Sequence, residues 1–152
     1  MNVKHLTIRA AQCNLLATAS TCPRRQVGAL IVDPKSNVVV SEGYNGPPRG
    51  AKGSMCGGSV CERARRGIQS GQRNDVGCHH AEMNATANAA RTGTSTLGCW
   101  MLVNCDPCLM CAKNIHHVGI VRVYSPLDTD GPHAEGLAYL RDNGVELFPI
   151  EH

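Results

Sequence analysis

Two copies of the tripeptide His-Ala-Glu occur in the chain, at 80–82 and at 133–135. A histidine two residues before a glutamate can provide a zinc ligand followed by a group that transfers protons. Only the first copy is followed by two cysteines three residues apart, Cys108 and Cys111, directly after Pro107. Imidazole and thiolate are the ligands that zinc prefers, and three protein ligands leave a fourth position for water. The sequence therefore predicts a catalytic zinc site made of His80, Cys108 and Cys111.

Glu82 is predicted to transfer protons in this site. On a turn that enters a helix, its carboxylate can face the bound water, take its proton and deliver it to the substrate. His-x-Glu followed by Pro-Cys-x-x-Cys is a signature of zinc-dependent nucleobase deaminases. The alternative is a structural zinc knuckle with Glu82 on the surface. For the second copy we expect no catalytic role, since His133 and Glu135 are predicted to begin a helix.

The elements that would position these residues alternate between helix and strand. Residues 2–20 show helical spacing, and two β-rich runs within 27–44 are joined by a turn, which predicts a hairpin. Further helices are predicted at 81–91, 107–119 and 133–144, and further strands at 99–105, 120–125 and 145–150. This order predicts one α/β domain, residues 1–152, with parallel strand pairs in a sheet covered on both faces.

Residues 46–79 form an insert that is rich in Gly, Arg and Cys and follows no sustained period. A structureless segment of that length is uncommon in a domain unless something holds it in place. The chain contains nine cysteines, an odd number that suits a disulfide framework poorly, and no secretion signal is visible. Metal ligation is therefore the favoured use of the cysteines. Cys13, Cys99 and Cys105 fall within helix or strand patterns and are expected to be small buried side chains.

Composition and charge argue against several classes of function. No apolar run approaches the roughly 20 residues of a membrane span, so no membrane association is expected and the cytoplasm is the expected location. The 15 Lys and Arg exceed the 12 Asp and Glu only slightly. One Trp, three Tyr and one Phe provide few stacking platforms for single-stranded nucleic acid, so none is expected as a partner. The arginines of the insert are expected to form a solvated face or to contact a small anionic substrate.

Five segments together resemble the cytidine deaminase superfamily, and within it the deoxycytidylate (dCMP) deaminases. They are VGALIV (27–32), EGYNGPPRG (42–50), HAEMNA (80–85), PCLMCAK (107–113) and GIVRVY (119–124). The GYNG element with a cysteine-containing insert is typical of this group and usually absent from the tRNA adenosine deaminases. The resemblance implies a three-layer α/β/α fold with a central five-stranded mixed sheet. It also implies zinc-dependent hydrolysis of dCMP to dUMP and ammonia, which supplies dUMP for dTTP synthesis.

The resemblance also implies substrate-binding residues, each with a structural alternative. Asn45 falls where family members contact the sugar, although Asn before Gly is equally suited to a turn. Asn84 matches an asparagine of the family motif, but it can also cap or pack its own helix. Tyr124 is expected beside the base, with a core position at a strand end as the alternative.

Regulation, assembly and a second metal site are further implications of the resemblance. Family members are often activated by dCTP and inhibited by dTTP, with Mg²⁺ a candidate companion of a nucleotide effector, and they often form homo-oligomers such as hexamers. The candidate effector-binding residues are Gly43, Tyr44, Gly46 and Arg91. A structural zinc in the insert region would use Cys22, Cys56, Cys61 and Cys78. His79 competes as a ligand, and the alternative is that these cysteines are free thiols.

Two other classes of function compete with a nucleotide deaminase. The first is a deaminase of adenosine in tRNA or of cytosine in a polynucleotide, against which the scarcity of aromatic residues argues. The second is a non-enzymatic, zinc-stabilised accessory protein of DNA uptake. Glu82 argues against it, because a purely structural zinc site has no need of a glutamate there.

Overall fold

The computed structural model describes residues 2–51, 60–72 and 75–150. The strands within these ranges are β1 (Gly28–Asp33), β2 (Val38–Tyr44), β3 (Trp100–Val103), β4 (Arg122–Ser125) and β5 (Glu146–Pro149). The helices are α1 (Val3–Ala17), α2 (Glu62–Arg65), α3 (Ala81–Thr92), α4 (Leu109–His117) and α5 (Ala134–Asp142). None of these helices is long and apolar enough to cross a membrane.

The five strands form one mixed sheet in the order β2-β1-β3-β4-β5. β1 pairs antiparallel with both β2 and β3, whereas β3, β4 and β5 are mutually parallel. The predicted hairpin is β1–β2, and its turn places Asn37 at φ 56°, a left-handed conformation that Asn tolerates better than most residues. The parallel pairs are joined through α4 and α5, the helical crossovers that such strands require.

Side-chain alternation along the strands divides the core into two layers. Ala29 and Ile31 of β1 pack with Met101 of β3 on one face, in a cluster that includes residues of α3, α4 and α5. Leu30 and Leu102 point to the opposite face, where they pack with residues of α1. Because successive strand residues face opposite sides, both faces of the sheet are apolar and both need helical cover. The predicted three-layer α/β/α fold with a five-stranded mixed sheet is confirmed.

The helices end at the signals that the sequence predicts. Gly93 terminates α3 in the left-handed conformation at φ 70°, and Gly119 and Gly144 take positive φ beyond the ends of α4 and α5. The element that the sequence did not predict is α2, one short turn of helix inside the insert. At the two ends of the insert, Gly46 and His79 form a bridge of two backbone hydrogen bonds.

Gly43 sets the distance between β2 and α3. A Cβ atom at this position would lie 2.3 Å from the backbone nitrogen of Ala85 and 2.6 Å from the carbonyl oxygen of Ala81. Both contacts are with helix backbone, so they cannot be relieved by a side-chain rotation. The absence of a side chain at residue 43 therefore allows α3 to lie directly against β2.

Gly43→Ala is expected to destabilise the protein by about 1–3 kcal/mol, the usual cost of overpacking a tight contact. Gly46→Ala is a matched control, because a Cβ atom there would make only ordinary contacts of 3.8 and 4.0 Å with the Tyr44 ring. Thermal melts at fixed zinc concentration compare the two. Equal melting temperatures for the two variants would contradict this account of the β2–α3 packing.

Candidate active site

The three predicted zinc ligands meet where two helices begin. His80 is the N-cap residue of α3, Cys108 is the N-cap residue of α4, and Cys111 lies in the first turn of α4. The Nδ1 atom of His80 is 3.5 Å from the Sγ atom of Cys108 and 3.4 Å from the Sγ atom of Cys111. Neither side chain makes a capping hydrogen bond, so both remain available as ligands.

These distances fit a zinc ion. With Zn–S bonds of about 2.3 Å and Zn–N bonds of about 2.0 Å at tetrahedral angles, a sulfur and a nitrogen ligand lie about 3.5 Å apart. All three ligand atoms are within 4.8 Å of one another. In the described part of the chain, no other group of three or more His, Cys, Asp or Glu side chains is close enough to hold a metal ion. One imidazole and two thiolates leave a fourth position for water.

Hydrogen bonds link the side chains of the three ligands and shift their pKa values. Hydrogen bonds from Cys111 and from His80 hold the pKa of Cys108 at about 3. The bond to Cys108 raises the pKa of Cys111 well above its usual value, and the pKa of His80 is raised mainly by its bond to Cys108. These shifts favour the thiolate form of Cys108, which is the form that binds a metal ion.

Glu82 lies beside the ligands and out of contact with solvent. It is in the first turn of α3 and is only 3% exposed. Burial raises the pKa of its carboxyl group to about 7, although the nearby charge of His80 opposes the shift. A carboxyl group with a pKa near neutrality can both accept and donate a proton at physiological pH. The buried position does not agree with a structural zinc knuckle that leaves Glu82 on the surface.

A cavity of about 770 Å³ opens in front of Glu82 and the ligands, a volume in the range of small-molecule sites. Four parts of the chain form its walls: the segment before β1, the insert, the start of α4 and the start of α5. Gly136 brings the last two together, because a Cβ atom there would lie 2.0 Å from the carbonyl oxygen of Pro107. The ligand-bearing loop is therefore packed directly against α5.

Asp106, which directly precedes the Pro-Cys-x-x-Cys motif, fixes the same loop from the other side. Its buried carboxylate accepts hydrogen bonds from the Ser125 hydroxyl at 2.6 Å and from the backbone nitrogens of Leu127 and Asp128 at 2.8 and 2.9 Å. Leu127 is thereby held at φ 61°, a conformation that non-glycine residues seldom adopt. Asp106 connects the metal-ligand loop to the segment between β4 and α5.

Of the three predicted substrate-binding residues, only Asn45 lines the cavity. Asn84 instead donates a hydrogen bond to the Tyr44 carbonyl oxygen at 2.8 Å and lies 3.2 Å from Nδ1 of His79. Tyr124 packs on the α1 side of the sheet, with its ring against those of Trp100 and Phe148. Since α3 covers the other face, strand alternation turns the Tyr124 side chain away from the ligands.

The Asn45 carboxamide is bonded to backbone on the segment before β1. Its Oδ1 atom accepts from the Val27 nitrogen at 2.8 Å, and its Nδ2 atom donates to the Arg25 carbonyl oxygen at 2.9 Å. The Asn45 carbonyl oxygen accepts from the Ser20 hydroxyl at 2.7 Å. The residue that the resemblance assigned to the sugar thus also holds two loops together.

The candidate effector-binding residues do not line the cavity. Gly43 and Gly46 serve the packing of β2 on α3 and the bridge to His79, as described above. Tyr44 is partly exposed and offers its carbonyl oxygen to Asn84, and Arg91 is exposed in the last turn of α3. The structure does not bring Arg91 together with the GYNG segment in a common cavity.

Three of the four cysteines assigned to a structural zinc border the cavity, namely Cys22, Cys61 and Cys78. The fourth, Cys56, lies outside the described residues. Cys13, Cys99 and Cys105 are buried, as expected from their positions in helix and strand patterns. Burial raises the pKa of Cys13 and of Cys105 to about 12, so both are neutral thiols.

Sequence reasoning missed several residues of the cavity wall, among them Arg25 and the second His-Ala-Glu copy. His133 is at the N-cap position of α5 and Glu135 is in its first turn, as predicted, yet both line the cavity. The Nδ1 atom of His133 is buried and has no hydrogen-bond partner among the described residues. One signal for them was available in the sequence. The helix predicted to start at His133 follows the strand that ends at Ser125, so its first residues must lie near the end of that strand, and the Pro-Cys motif lies near the same end.

Comparisons with known proteins agree with this geometry. A family model described as the cytidine and deoxycytidylate deaminase zinc-binding region matches residues 3–126. The ComE operon protein 2 of Bacillus subtilis is 38% identical over 142 residues, which cover 93% of this chain and 68% of that protein. The deoxycytidylate deaminase of Schizosaccharomyces pombe is 38% identical over 113 residues, which cover 72% of this chain but only 33% of that longer protein.

A solved structure extends the comparison to the whole fold. It is the dCMP deaminase from the cyanophage S-TIM5 in complex with dCMP and dUMP. The two structures superpose with a TM-score of 0.73 at 25% sequence identity, over 98% of each chain. The likeness therefore extends over nearly the whole chain.

Substituting each histidine in turn tests which of the two His-Ala-Glu tripeptides supplies a zinc ligand. His80→Ala is expected to lose one equivalent of bound zinc, because it removes one of three ligands, whereas His133→Ala is expected to keep it. Elemental analysis of the purified variants measures the difference. Loss of zinc from the His133 variant with retention in the His80 variant would show that the ligand set has been assigned to the wrong copy.

Proposed function

Because the chain belongs to the cytidine and deoxycytidylate deaminase zinc-binding family, we propose that it catalyses the hydrolytic deamination of dCMP to dUMP and ammonia. The observation that carries the proposal is one arrangement: a three-ligand zinc set beside a buried glutamate, at the end of a cavity large enough for a nucleotide. The binding of dCMP and dUMP by the similar cyanophage enzyme supports the choice of substrate.

In the proposed reaction His80, Cys108 and Cys111 would hold a zinc ion, which would supply a water molecule of lowered pKa for attack at C4 of cytosine. Glu82 accepts the proton that this water loses and passes it to N3 of the base. It then transfers the second proton to the departing amino group, so that one water is consumed and one ammonia leaves. Burial raises the pKa of this carboxyl group and so makes its protonated form accessible for delivery of a proton.

Burial of the site contributes to the chemistry. Glu82 is shielded by α3 and by the start of α4, so its charge interacts strongly with neighbouring groups instead of with bulk water. The interactions of Asp106 and Gly136 keep the Cys108 loop rigid. We infer that this rigidity holds the carboxyl group and the metal ligands on the same side of the base, since a proton donor must be placed within hydrogen-bond reach.

Glu82→Gln is expected to retain zinc and fold while its turnover of dCMP falls about 10²- to 10⁴-fold, the usual contribution of a general acid–base group. Glu42→Gln is the control, because Glu42 is exposed on β2 and does not line the cavity. Release of dUMP is followed by chromatography, with zinc content measured on the same samples. Near-normal turnover in zinc-loaded Glu82→Gln would remove the residue from the mechanism.

We propose a second, structural zinc ion in the insert region, held by Cys22, Cys56, Cys61 and Cys78. The small apolar content of the insert supports the proposal. Cys22, Cys61 and Cys78 border one cavity, but they are not close enough together to share an ion without movement, so zinc would have to draw them together. A segment with few apolar residues cannot offset its own chain entropy, whereas metal binding contributes directly to folding. Such a site would hold the insert against the substrate cavity.

Cys61→Ser and Cys108→Ser are expected to fail in different ways. The first should lower thermal stability and expose the insert to protease, with one zinc equivalent lost and activity falling as a consequence. The second should abolish activity, lose the other zinc equivalent and leave the insert protected. One zinc per wild-type chain, unchanged in Cys61→Ser, would show that the insert is held by something other than zinc.

The resemblance to deoxycytidylate deaminases supports two further proposals. One is activation by dCTP with Mg²⁺ and inhibition by dTTP, and the other is assembly into a homo-oligomer with a hexamer as the expected form. Of the candidate effector-binding residues, Tyr44 and Arg91 are exposed and lie outside the cavity lining, so an effector bound at either would leave the substrate cavity open.

A further inference from the structure

We propose that Arg25 binds the phosphate of the nucleotide substrate, and that Asn45 is the positioning residue that holds Arg25 toward the cavity. This inference rests on the proposed function, because it names the groups that distinguish a nucleotide from a nucleoside in the same site.

Arg25 differs from the other arginines that line the cavity. Arg24 donates to the Ile68 carbonyl oxygen at 2.7 Å, and Arg63 donates to the carbonyl oxygens of Gln69 and Gln72 at 3.3 and 3.2 Å. The Arg25 side chain makes no hydrogen bond or ion pair within residues 2–51, 60–72 and 75–150, although it lines the cavity. Its guanidinium donors are therefore available to a ligand.

The backbone of Arg25 is fixed although its side chain is not. Asn45 bonds to the carbonyl oxygen of Arg25 and to the nitrogen of Val27, on either side of Gln26. The Gln26 side chain donates to the Ser20 carbonyl oxygen at 2.7 Å, and the Ser20 hydroxyl donates to Asn45. This closed set of bonds sets the direction in which the Arg25 side chain leaves the backbone, which reduces the entropy lost when it binds a ligand.

The charge of Arg25 influences the pKa of residues in the cavity wall, including His133 at the start of α5. The pKa of His133 is lowered first by burial, and Arg25 lowers it further, while Cys108 and His80 also act on it. Arg25 also opposes the burial that raises the pKa of Cys105. His133 thus lies within electrostatic range of both the metal ligands and Arg25. A substrate whose base is at Glu82 can extend along this wall toward the guanidinium.

The groups at the two ends of the cavity suit the two ends of a nucleotide, with Glu82 at the base and Arg25 at the phosphate. A guanidinium group binds phosphate through two parallel hydrogen bonds, an arrangement that lysine cannot provide. Lys113 is a further cation of the cavity wall, but it also borders a second depression, lined by residues of α4 and by Tyr139 of α5. Arg25 has the rigid backbone and the bidentate donor group, so the proposal assigns the phosphate to Arg25.

The test compares dCMP with deoxycytidine, which lacks the phosphate. For Arg25→Gln the kcat/KM for dCMP is expected to fall about 10- to 100-fold, the range for a charge-assisted hydrogen-bonded contact, mainly through KM. The kcat/KM for deoxycytidine should stay within about twofold. Arg24→Gln and Lys113→Gln are matched controls that remove a nearby charge, and circular dichroism melts verify folding. An equal loss on both substrates, or a selective loss in Lys113→Gln instead, would overturn the assignment.

Asn45→Ala separates the positioning role from a direct sugar contact. Acting through Arg25, it should reduce kcat/KM for dCMP and spare deoxycytidine, and its effect should largely disappear in the Arg25→Gln background. A direct contact with the sugar would instead lower kcat/KM for both substrates, in either background. Additive losses in the double variant would contradict the positioning role.

Equilibrium binding of dUMP to the zinc-loaded proteins distinguishes this inference from the proposed function. Tight binding by wild type that weakens 10- to 100-fold in Arg25→Gln supports the phosphate contact even if wild type fails to deaminate dCMP, in which case only the proposed function falls. Deamination of dCMP by wild type with unchanged dUMP binding in Arg25→Gln overturns the phosphate contact alone. No binding of dUMP by either protein, together with no deamination of dCMP by wild type, overturns both.

Discussion

The meeting of two helix N-termini at one end of the sheet is the constraint on which the rest of the structure depends. His80 and Cys108 are 28 residues apart in the chain, yet their ligand atoms are 3.5 Å apart. That distance exists only because α3 lies directly on β2, where Gly43 removes the obstacle, and because α5 packs on the Cys108 loop at Gly136. Two glycines and a mixed sheet thus determine whether three ligands can share one ion.

The same packing creates the environment of Glu82. Ala81 and Ala85, on the buried side of α3, have no exposed surface, and they anchor the first turn of the helix in the core. Glu82 is carried with them out of contact with solvent, and burial raises the pKa of its carboxyl group toward neutrality. Burial of this carboxyl group is unfavourable for the stability of the fold, but it gives the site a group that can exchange protons.

The fold and the ligand set could be predicted from the sequence because their signals are local. His80, Cys108 and Cys111 belong to short motifs with fixed spacing, and Gly93 and Gly119 mark helix ends within a few residues of the motif helices. The alternation of strands and helices predicted the parallel pairs, and the family resemblance implied the five-stranded mixed sheet, but neither gave the strand order β2-β1-β3-β4-β5.

The cavity wall could not be predicted in the same way, because it is made by segments far apart in the chain. The insert meets the start of α5 so closely that a Cβ atom on Gly71 would lie 2.3 Å from the carbonyl oxygen of Pro132. No local pattern predicts this contact, which belongs to the wall of the cavity that His133 and Arg25 both line. Tyr124 illustrates the same limit, because its place in a family motif is a local signal, whereas its contacts depend on the face of the sheet to which its side chain points.

The central claim is that this cavity hydrolyses dCMP, and the most direct measurement follows the oxygen that enters the product. Zinc-loaded protein is incubated with dCMP in water enriched in heavy oxygen, and the nucleotide product is analysed by mass spectrometry alongside an ammonia assay. The account predicts dUMP that carries one heavy oxygen atom, with one ammonia released for each dUMP formed. Recovery of unchanged dCMP from fully zinc-loaded, folded protein would contradict it.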